Sequence, residues 1–336
     1  MECDKCGTDA IHHAAYSGGH LCGEHLCRSV EKRVKRRVRE DSLLDPEATP
    51  EDPDRWVIGL SGGKDSVVLT HILDDVFGRD PRVEMLALTI HEGIEGYRDE
   101  SLDACLELTA DRTIRHEVVS YDEEFGVRMD DVVESDPENM APCAYCGVFR
   151  RDVLERYAAE FEADKLLTGH NLDDEAQTAL MNVLEGDVRP VAKHFDASLG
   201  PFDERGETDE FVPRAKPLRD VPEKEIALYC HVRDLPVHMA ECPHASEAYR
   251  GEIQSVIHEL EENHPGTRHS IMAGYEELSG IVAERYRGDA GGASDGGSGT
   301  DGTDGRPALR ECERCGSKTS RDVCRKCRLL ESIQAA

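Results

Sequence analysis

Thirteen cysteines in 336 residues are the most evident chemical resource of the chain, and their spacing sorts them into kinds. Cys312-x2-Cys315-x8-Cys324-x2-Cys327 places two CxxC knuckles close together, at zinc-ribbon spacing. Four thiolates satisfy tetrahedral Zn²⁺, and the ion organises a segment too small to bury a core of its own. At the other end Cys3-x2-Cys6 offers two ligands, with His20, Cys22, His25 and Cys27 competing for the second pair; His12 and His13 read as exposed. Cys143-Ala144-Tyr145-Cys146 has no second CxxC nearby, so a closed four-thiolate site is not evident there. A redox dithiol, iron–sulfur ligation or buried structural thiols all fit such a pair. Among the isolated cysteines, Cys105 and Cys230 lie in helical patterns with apolar neighbours and read as core. Cys242 stands in a loop before Pro243 and is the better third ligand, with Cys230 as its rival.

A second resource is Gly59-Leu60-Ser61-Gly62-Gly63-Lys64-Asp65-Ser66, which follows an apolar run and opens a helical pattern. The glycines let backbone amides approach a phosphate, and a helix N-terminus adds its dipole. Lys64 supplies a mobile positive charge, and Ser61 and Ser66 supply hydroxyls. This is not a Walker A loop, because Ile58 stands where its leading glycine would be and Asp65 follows the lysine. Thr168-Gly169-His170-Asn171-Leu172-Asp173-Asp174 repeats the logic at a later strand end. There Gly169 permits close approach to a nucleotide, Asp173 can cap the next helix, and paired aspartates can hold Mg²⁺ or move a proton.

These segments need elements to place them. Apolar runs at Trp56–Leu60, Val83–Ile90, Ile114–Val119 and Lys165–Thr168 alternate with helical patterns at 67–76, 100–109, 123–133, 148–161 and 173–184. Such alternation predicts an α/β fold, a parallel sheet with helices on both faces whose ligands sit at the strands' carboxyl ends. Five regions follow. Residues 1–27 form a zinc finger, 28–54 a basic helix and acidic linker, and 55–287 the catalytic domain with a helical C-terminal part. Residues 288–306 are a Gly/Ser/Asp/Thr linker, and 307–336 form a zinc ribbon.

Ser61-Gly62-Gly63-Lys64-Asp65-Ser66 resembles the PP-loop of the N-type ATP pyrophosphatases. The resemblance implies that residues Gly59 to Ser66 hold ATP while a substrate oxygen attacks the α-phosphate and pyrophosphate leaves. Gly169-His170-Asn171-Leu172-Asp173-Asp174 resembles the second nucleotide motif of the tRNA thiolation enzymes, which implies an ATP contact at Gly169 and catalytic roles for Asp174 and Lys64. Leu21-Cys22-Gly23-Glu24-His25 resembles that family's first finger and favours Cys22 and His25 beside Cys3 and Cys6. Pro142-Cys143-x2-Cys146 followed by Arg150, and Glu241-Cys242-Pro243 followed by Ala248-Tyr249-Arg250-Gly251, resemble the cysteine motifs of the TtuA/NcsA group of tRNA 2-thiouridine synthetases. That likeness spans nearly the whole chain. It implies a [4Fe-4S] cluster on Cys143, Cys146 and Cys242, with Cys143 and Cys242 catalytic and Arg150 on ATP. It also implies two Zn²⁺, a sulfur supply from a ubiquitin-like carrier protein or inorganic sulfide, and a homodimer. His91-Glu92-Gly93-Ile94 lies where many relatives carry an acid at a strand end, so His91 receives no role; Gly200–Phe211 reads as an insertion.

Seventy acidic against forty basic residues give a formal charge of −30. A solvated acidic surface in a saline host accounts for this, since at ~1 M salt the Debye length is only ~3 Å. Against that background Arg28, Lys32, Arg33, Lys35, Arg36 and Arg37 crowd one helix whose Val30, Val34 and Val38 can dock on the body, leaving a basic face for tRNA phosphates. No apolar run approaches the ~20 residues of a membrane span, and no secretory signal precedes the finger, so the expected location is the cytoplasm. The reading is therefore an ATP-dependent tRNA thiolase, with wobble uridine 34 expected over T-loop uridine 54. Lysidine-type chemistry would not need the cysteines, and a non-catalytic RNA-binding adaptor would not need Lys64, Asp65, Asp173 and Asp174.

Overall fold

The computed structural model describes residues 1–186, 191, 212–244, 249–291 and 310–335. A hairpin of β1 (His12–Ala14) and β2 (Gly19–Leu21) leads into helix α1 (Gly23–Glu40). Finger and basic stretch thus share one helix, and the boundary expected at residue 27 falls inside it. Val30, Val34 and Val38 are buried along one line of α1, as their spacing requires.

The central body runs β3 (Asp54–Gly59), α2 (Lys64–Phe77), β4 (Val83–His91), α3 (Tyr97–Thr109), β5 (Arg115–Ser120), α4 (Tyr121–Phe125) and α5 (Met129–Ser135). It continues through α6 (Pro142–Glu160), β6 (Lys165–Leu167), α7 (Leu172–Glu185) and β7 (Arg214–Ala215). The sheet is parallel throughout, in the order β5-β4-β3-β6-β7. Alternate residues supply its two faces. Trp56, Ile58, Met85 and Ala87 join α1, α2, α3 and the later helix α8 (Glu223–Arg233) in one core, while Val57, Leu86, Leu88 and Val119 join α5 and α6 in the other. Helices on both faces are thereby borne out.

Strand order reverses at β3, with β4 and β5 on one side and β6 and β7 on the other. Because Ile58 pairs with Leu167, the loops leaving β3 and β6 emerge side by side at the carboxyl edge. That switch point is where a crevice forms in such sheets.

Helices α9 (Tyr249–Asn263) and α10 (Thr267–Gly291) pack on α7. The C-terminal module, β8 (Arg310–Glu311), β9 (Lys318–Thr319) and α11 (Arg325–Ala335), docks on α6 through Leu329, Leu330, Ile333 and a 2.9 Å Lys326–Asp152 ion pair. Several expected elements differ. The helix expected at 123–133 is two short ones, parted at Gly126 with φ +65°. The helix expected from residue 148 already starts at Pro142, which sets the CxxC pair in its first turn. α10 runs to Gly291, past the expected boundary at 287; the rest of the expected linker, the insertion through Phe211 and Ala248 lie outside the described residues.

Candidate nucleotide and cysteine site

The loop after β3 is braced from within. Ser66 Oγ accepts from the Ser61 amide at 3.0 Å and donates to the Gly63 carbonyl at 3.0 Å. Gly62 holds φ +81°, and a Cβ there would lie 2.2 Å from the Ser101 carbonyl oxygen, so helix α3 seals the loop from outside. Lys64 pairs with Asp65 at 3.1 Å and Glu223 at 2.8 Å. Burial alone would lower its pKa, but the two carboxylates outweigh this and hold it above the ordinary lysine range.

The second motif meets this loop directly. A Cβ on Gly169 would stand 2.9 Å from the Asp65 carbonyl carbon, so the glycine lets two protein loops touch, where the sequence suggested approach to a nucleotide. Asn171 donates to Asp65 Oδ1 at 2.9 Å. It is also the cap of α7: its Oδ1 accepts from the Asp173 and Asp174 amides, and Asp174 Oδ2 accepts from the Asn171 amide. Asp173, expected as the cap, instead accepts from the Glu223 amide and pairs with Arg268 at 3.0 Å. Burial pushes Asp174 up to about 6; the Asn171 amide opposes this and the charge of Asp65 adds to it.

Between the loops lies a cavity of about 560 Å³ lined by Gly59, Leu60, Ser61, Asp65, Ser66, Gly169, His170 and Asp174, and from α6 by Gly147, Arg150 and Leu154. Gly62, Gly63 and Lys64 are not on its wall. Desolvation in the cleft, then the charge of Lys216, push His170 down to about 4. Sequence reasoning missed Glu92, Arg98, His170 and Arg250, all on this wall. The acidic strand end it noted beside His91 was the available signal for Glu92.

Among the cysteines, Cys143 is exposed in the first turn of α6 and Cys146 is part-buried. Cys146 Sγ accepts from Arg150 at 3.4 Å, and burial pushes its thiol up against the opposing charge of that arginine. Cys242 sits on a segment tied at both ends: the His238 amide donates to the Gly62 carbonyl at 2.9 Å, and His244 meets Asp130 at 2.6 Å. Cys146 and Cys242 pack against the same apolar core beneath α5 and α6, whereas Cys230 lies in the core on the other sheet face, its thiol pushed up to about 12 by burial. Cys143, Cys146 and Cys242 are not among the ligand groups gathered within 4.8 Å among the described residues. A four-iron cluster spaces its thiolates more widely than one tetrahedral ion does, because each binds a different iron, so a group that tight is not the arrangement it needs.

Two groups do close that tightly. Cys3, Cys6, Cys22 and His25 lie within 4.8 Å of one another, as do Cys312, Cys315, Cys324 and Cys327. Both donor sets suit a single tetrahedral ion, and the amides of Cys324 and Cys327 bond Sγ atoms of the second set, which favours thiolate. Cys27 is wholly buried in the apolar core and is no rival ligand. His12, expected exposed, is buried against Glu225 at 3.5 Å.

The basic helix needs a larger correction. Arg33 binds Glu225, and Arg37 binds Asp220 at 2.6 Å and Asp41 at 3.4 Å; both side chains are largely buried. They fasten α1 to the body and do not face solvent. Arg36 also reaches Asp220, at 3.0 Å, but stays half exposed. Arg28, Lys32, Lys35, Arg36 and Arg39 remain outward at helical spacing.

A parallel switch-point sheet with this braced loop and capped second motif defines a PP-loop nucleotide-binding protein, and residues 29–253 match the PP-loop domain family. Residues 2–27 match the N-terminal LIM domain of the 2-thiouridine synthetase TtuA. The chain is 70% identical over 335 residues to the tRNA 2-thiolation protein NcsA of Haloferax volcanii, covering all of both. It is 34% identical over 329 residues to the cytoplasmic tRNA 2-thiolation protein 1 of Caenorhabditis elegans, covering 98% of this chain and 79% of that one. The U34-tRNA thiolase NcsA from Methanococcus maripaludis, solved with its [4Fe-4S] cluster, superposes with a TM-score of 0.75 at 32% identity, covering 98% and 96%. The chain belongs to the NcsA-type tRNA 2-thiolation family of PP-loop proteins. None of its described helices is long and apolar enough to cross a membrane.

Proposed function

We propose that this protein is an ATP-dependent tRNA 2-thiouridine synthetase acting on wobble uridine 34. The observation that carries the proposal is the shared cavity: α6, which bears Cys143 and Cys146, contributes its wall together with the PP-loop and the second nucleotide motif. The cysteines do not line the cavity themselves, but Arg150, which does, reaches Cys146 Sγ at 3.4 Å, so a sulfur site on α6 lies beside the nucleotide cleft.

ATP enters with its phosphates toward the amides after β3 and the N-terminus of α2. Asp174, in the first turn of α7 and bonded to the Asn171 amide through Oδ2 alone, would hold Mg²⁺ and so supply charge neutralisation to the phosphates. The uridine O2 attacks the α-phosphorus, the bond to the β-phosphate oxygen breaks, and pyrophosphate leaves. Lys64, held protonated by Asp65 and Glu223, offsets the developing charge by its field on the loop. Sulfide then attacks C2 and AMP departs with the original oxygen, so one ATP yields AMP, pyrophosphate and a C2–sulfur bond. A [4Fe-4S] cluster held by Cys143, Cys146 and Cys242 would supply an open iron site for that sulfur. Zn²⁺ at each four-ligand group is structural. The sulfur donor is a ubiquitin-like carrier's thiocarboxylate or free sulfide, and the working form is a cytoplasmic homodimer.

The tRNA backbone runs along Arg28, Lys32, Lys35, Arg36 and Arg39, the outward stripe of α1. Nucleoside mass spectrometry of tRNA from a deletion strain tests the reading. Loss of 2-thiouridine at position 34, restored by the gene, is expected; loss at 54 alone moves the substrate to the T-loop, and unaltered thiolation refutes the assignment.

A further inference from the structure

We infer that Glu92 is a positioning residue that ties the nucleotide loop to the sulfur site, so that occupancy of one is felt at the other. The inference rests on the proposed function and deepens it.

Glu92 follows β4 and is 1% exposed, with two guanidiniums on one carboxylate: Arg98, itself 3% exposed, and Arg150 at 2.8 Å. Arg98 Nη1 donates to the Ser61 carbonyl at 3.0 Å and to Ser101 Oγ at 3.0 Å. Arg150 Nη2 also donates to Cys146 Sγ at 3.4 Å. A continuous polar chain therefore runs from the PP-loop carbonyl through Arg98, Glu92 and Arg150 to a cysteine sulfur. The backbone of Glu92 is itself pinned, its carbonyl accepting from the Met129 amide at 2.9 Å.

Stability gives little reason for such an arrangement, since apolar residues of similar volume commonly replace buried ionic triads without loss. Its placement gives a better one. Glu92, Arg98 and Arg150 all line the cavity, and Arg150 is half exposed there. The two cations sit on separate oxygens, Arg98 on Oε2 and Arg150 on Oε1, but share one negative charge, so the hold on either depends on the other. A phosphate drawing Arg150 away from Glu92 leaves the carboxylate to Arg98 and alters the positive charge at Cys146. A change at the cysteine site acts back along the same path on the Ser61 carbonyl. Binding free energies obey this reciprocity, and coupling between sites is commonly about 5- to 150-fold in affinity.

The experiment measures the Kd of a non-hydrolysable ATP analogue on the full chain with the iron–sulfur cluster reconstituted and without it, together with the EPR spectrum of the reduced cluster as the analogue is added. The wild type is expected to show a Kd ratio of at least about fivefold and an analogue-dependent spectrum. Glu92→Gln should bind both groups with a ratio near one and an unresponsive spectrum, and Glu92→Asp should restore part of the response. Arg98→Lys, which keeps the charge but loses the second arm to Ser61, guards against a folding defect in Glu92→Gln and should lose most of the response too. A wild type that binds both groups without a response, or variants that respond as the wild type does, overturns the inference and leaves the proposed function intact. A wild type that takes up no cluster overturns both.

Discussion

Glu225→Gln is the sharpest probe of how the N-terminal module is held. Glu225 is 1% exposed and accepts from Tyr16 Oη at 2.7 Å and from Arg33, with His12 Nε2 3.5 Å away. Burial alone would raise its pKa, yet the contact with His12, the charge of Arg33 and the Tyr16 hydroxyl carry it from 4.5 down to about 2. At about 1.4 kcal/mol per pKa step, this partnership stabilises the fold by about 3 kcal/mol when the acid is ionised. With an unfolding entropy of about 2.1 cal/mol/K per residue, the amide variant should melt about 4–5 °C lower by calorimetry of the zinc-loaded protein at pH 7. The folded pKa is depressed, so the contribution is complete above the unfolded value of 4.5 and fades as pH falls toward 2. The gap between wild type and variant should therefore stay level from neutral pH to about 5 and narrow only below that. Equal melting at pH 7, or a gap that widens in acid, refutes the reasoning.

Other outcomes follow from the same geometry. Gly62→Ala forces a side chain into left-handed backbone and 2.2 Å from the Ser101 carbonyl, so nucleotide affinity by calorimetric titration should drop at least about tenfold; an unchanged Kd would free α3 from any role over the loop. Cys242→Ala should abolish thiolation while nucleotide binding persists, whereas Cys230→Ala should cost stability of about 1–2 kcal/mol with thiolation retained; the reverse pattern would exchange their roles. Neutralising Lys32, Lys35, Arg36 and Arg39 to Gln should weaken tRNA binding in a filter assay with a shallower salt slope, and equal binding removes α1 from the interface. Asp174→Asn should slow exchange of pyrophosphate into ATP at least about tenfold and raise the Mg²⁺ concentration it needs; an unchanged Mg²⁺ requirement would remove that carboxylate from the metal site.

The chemistry that could be read from the chain was local chemistry. Both phosphate-site motifs and the C-terminal four-cysteine group are short stretches in which residue type and spacing decide the outcome, whereas the second ligand pair of the N-terminal group needed the family resemblance to favour Cys22 and His25, and the apolar runs of β3 and β4 between helical patterns pointed to a parallel sheet. What escaped depended on distant partners. The valine line of α1 announced a buried edge but not its width, and the acids that draw Arg33 and Arg37 inward lie 192 and 183 residues further on. Glu92 and Arg98 follow no periodic rule, because they are joined only when β4 and α3 flank the PP-loop. The early start of α6 was legible in hindsight: a proline favours the first helical position, and Pro142 occupies it. β7 is two residues long, too brief for any pattern to register.

The docking of α1 also bears on how the polypeptide is made. This helix leaves the ribosome early, yet Asp220 and Glu225, which neutralise its inner arginines, are translated almost two hundred residues later. Until then the nascent chain carries an arginine-rich helix with a bare valine edge, and one face of the sheet cannot close. Long-range closure of this kind slows folding and leaves incomplete chains prone to association. Early capture of a metal ion by Cys3, Cys6 and Cys22, which flank the hairpin, would keep that waiting helix anchored at its first turn through His25.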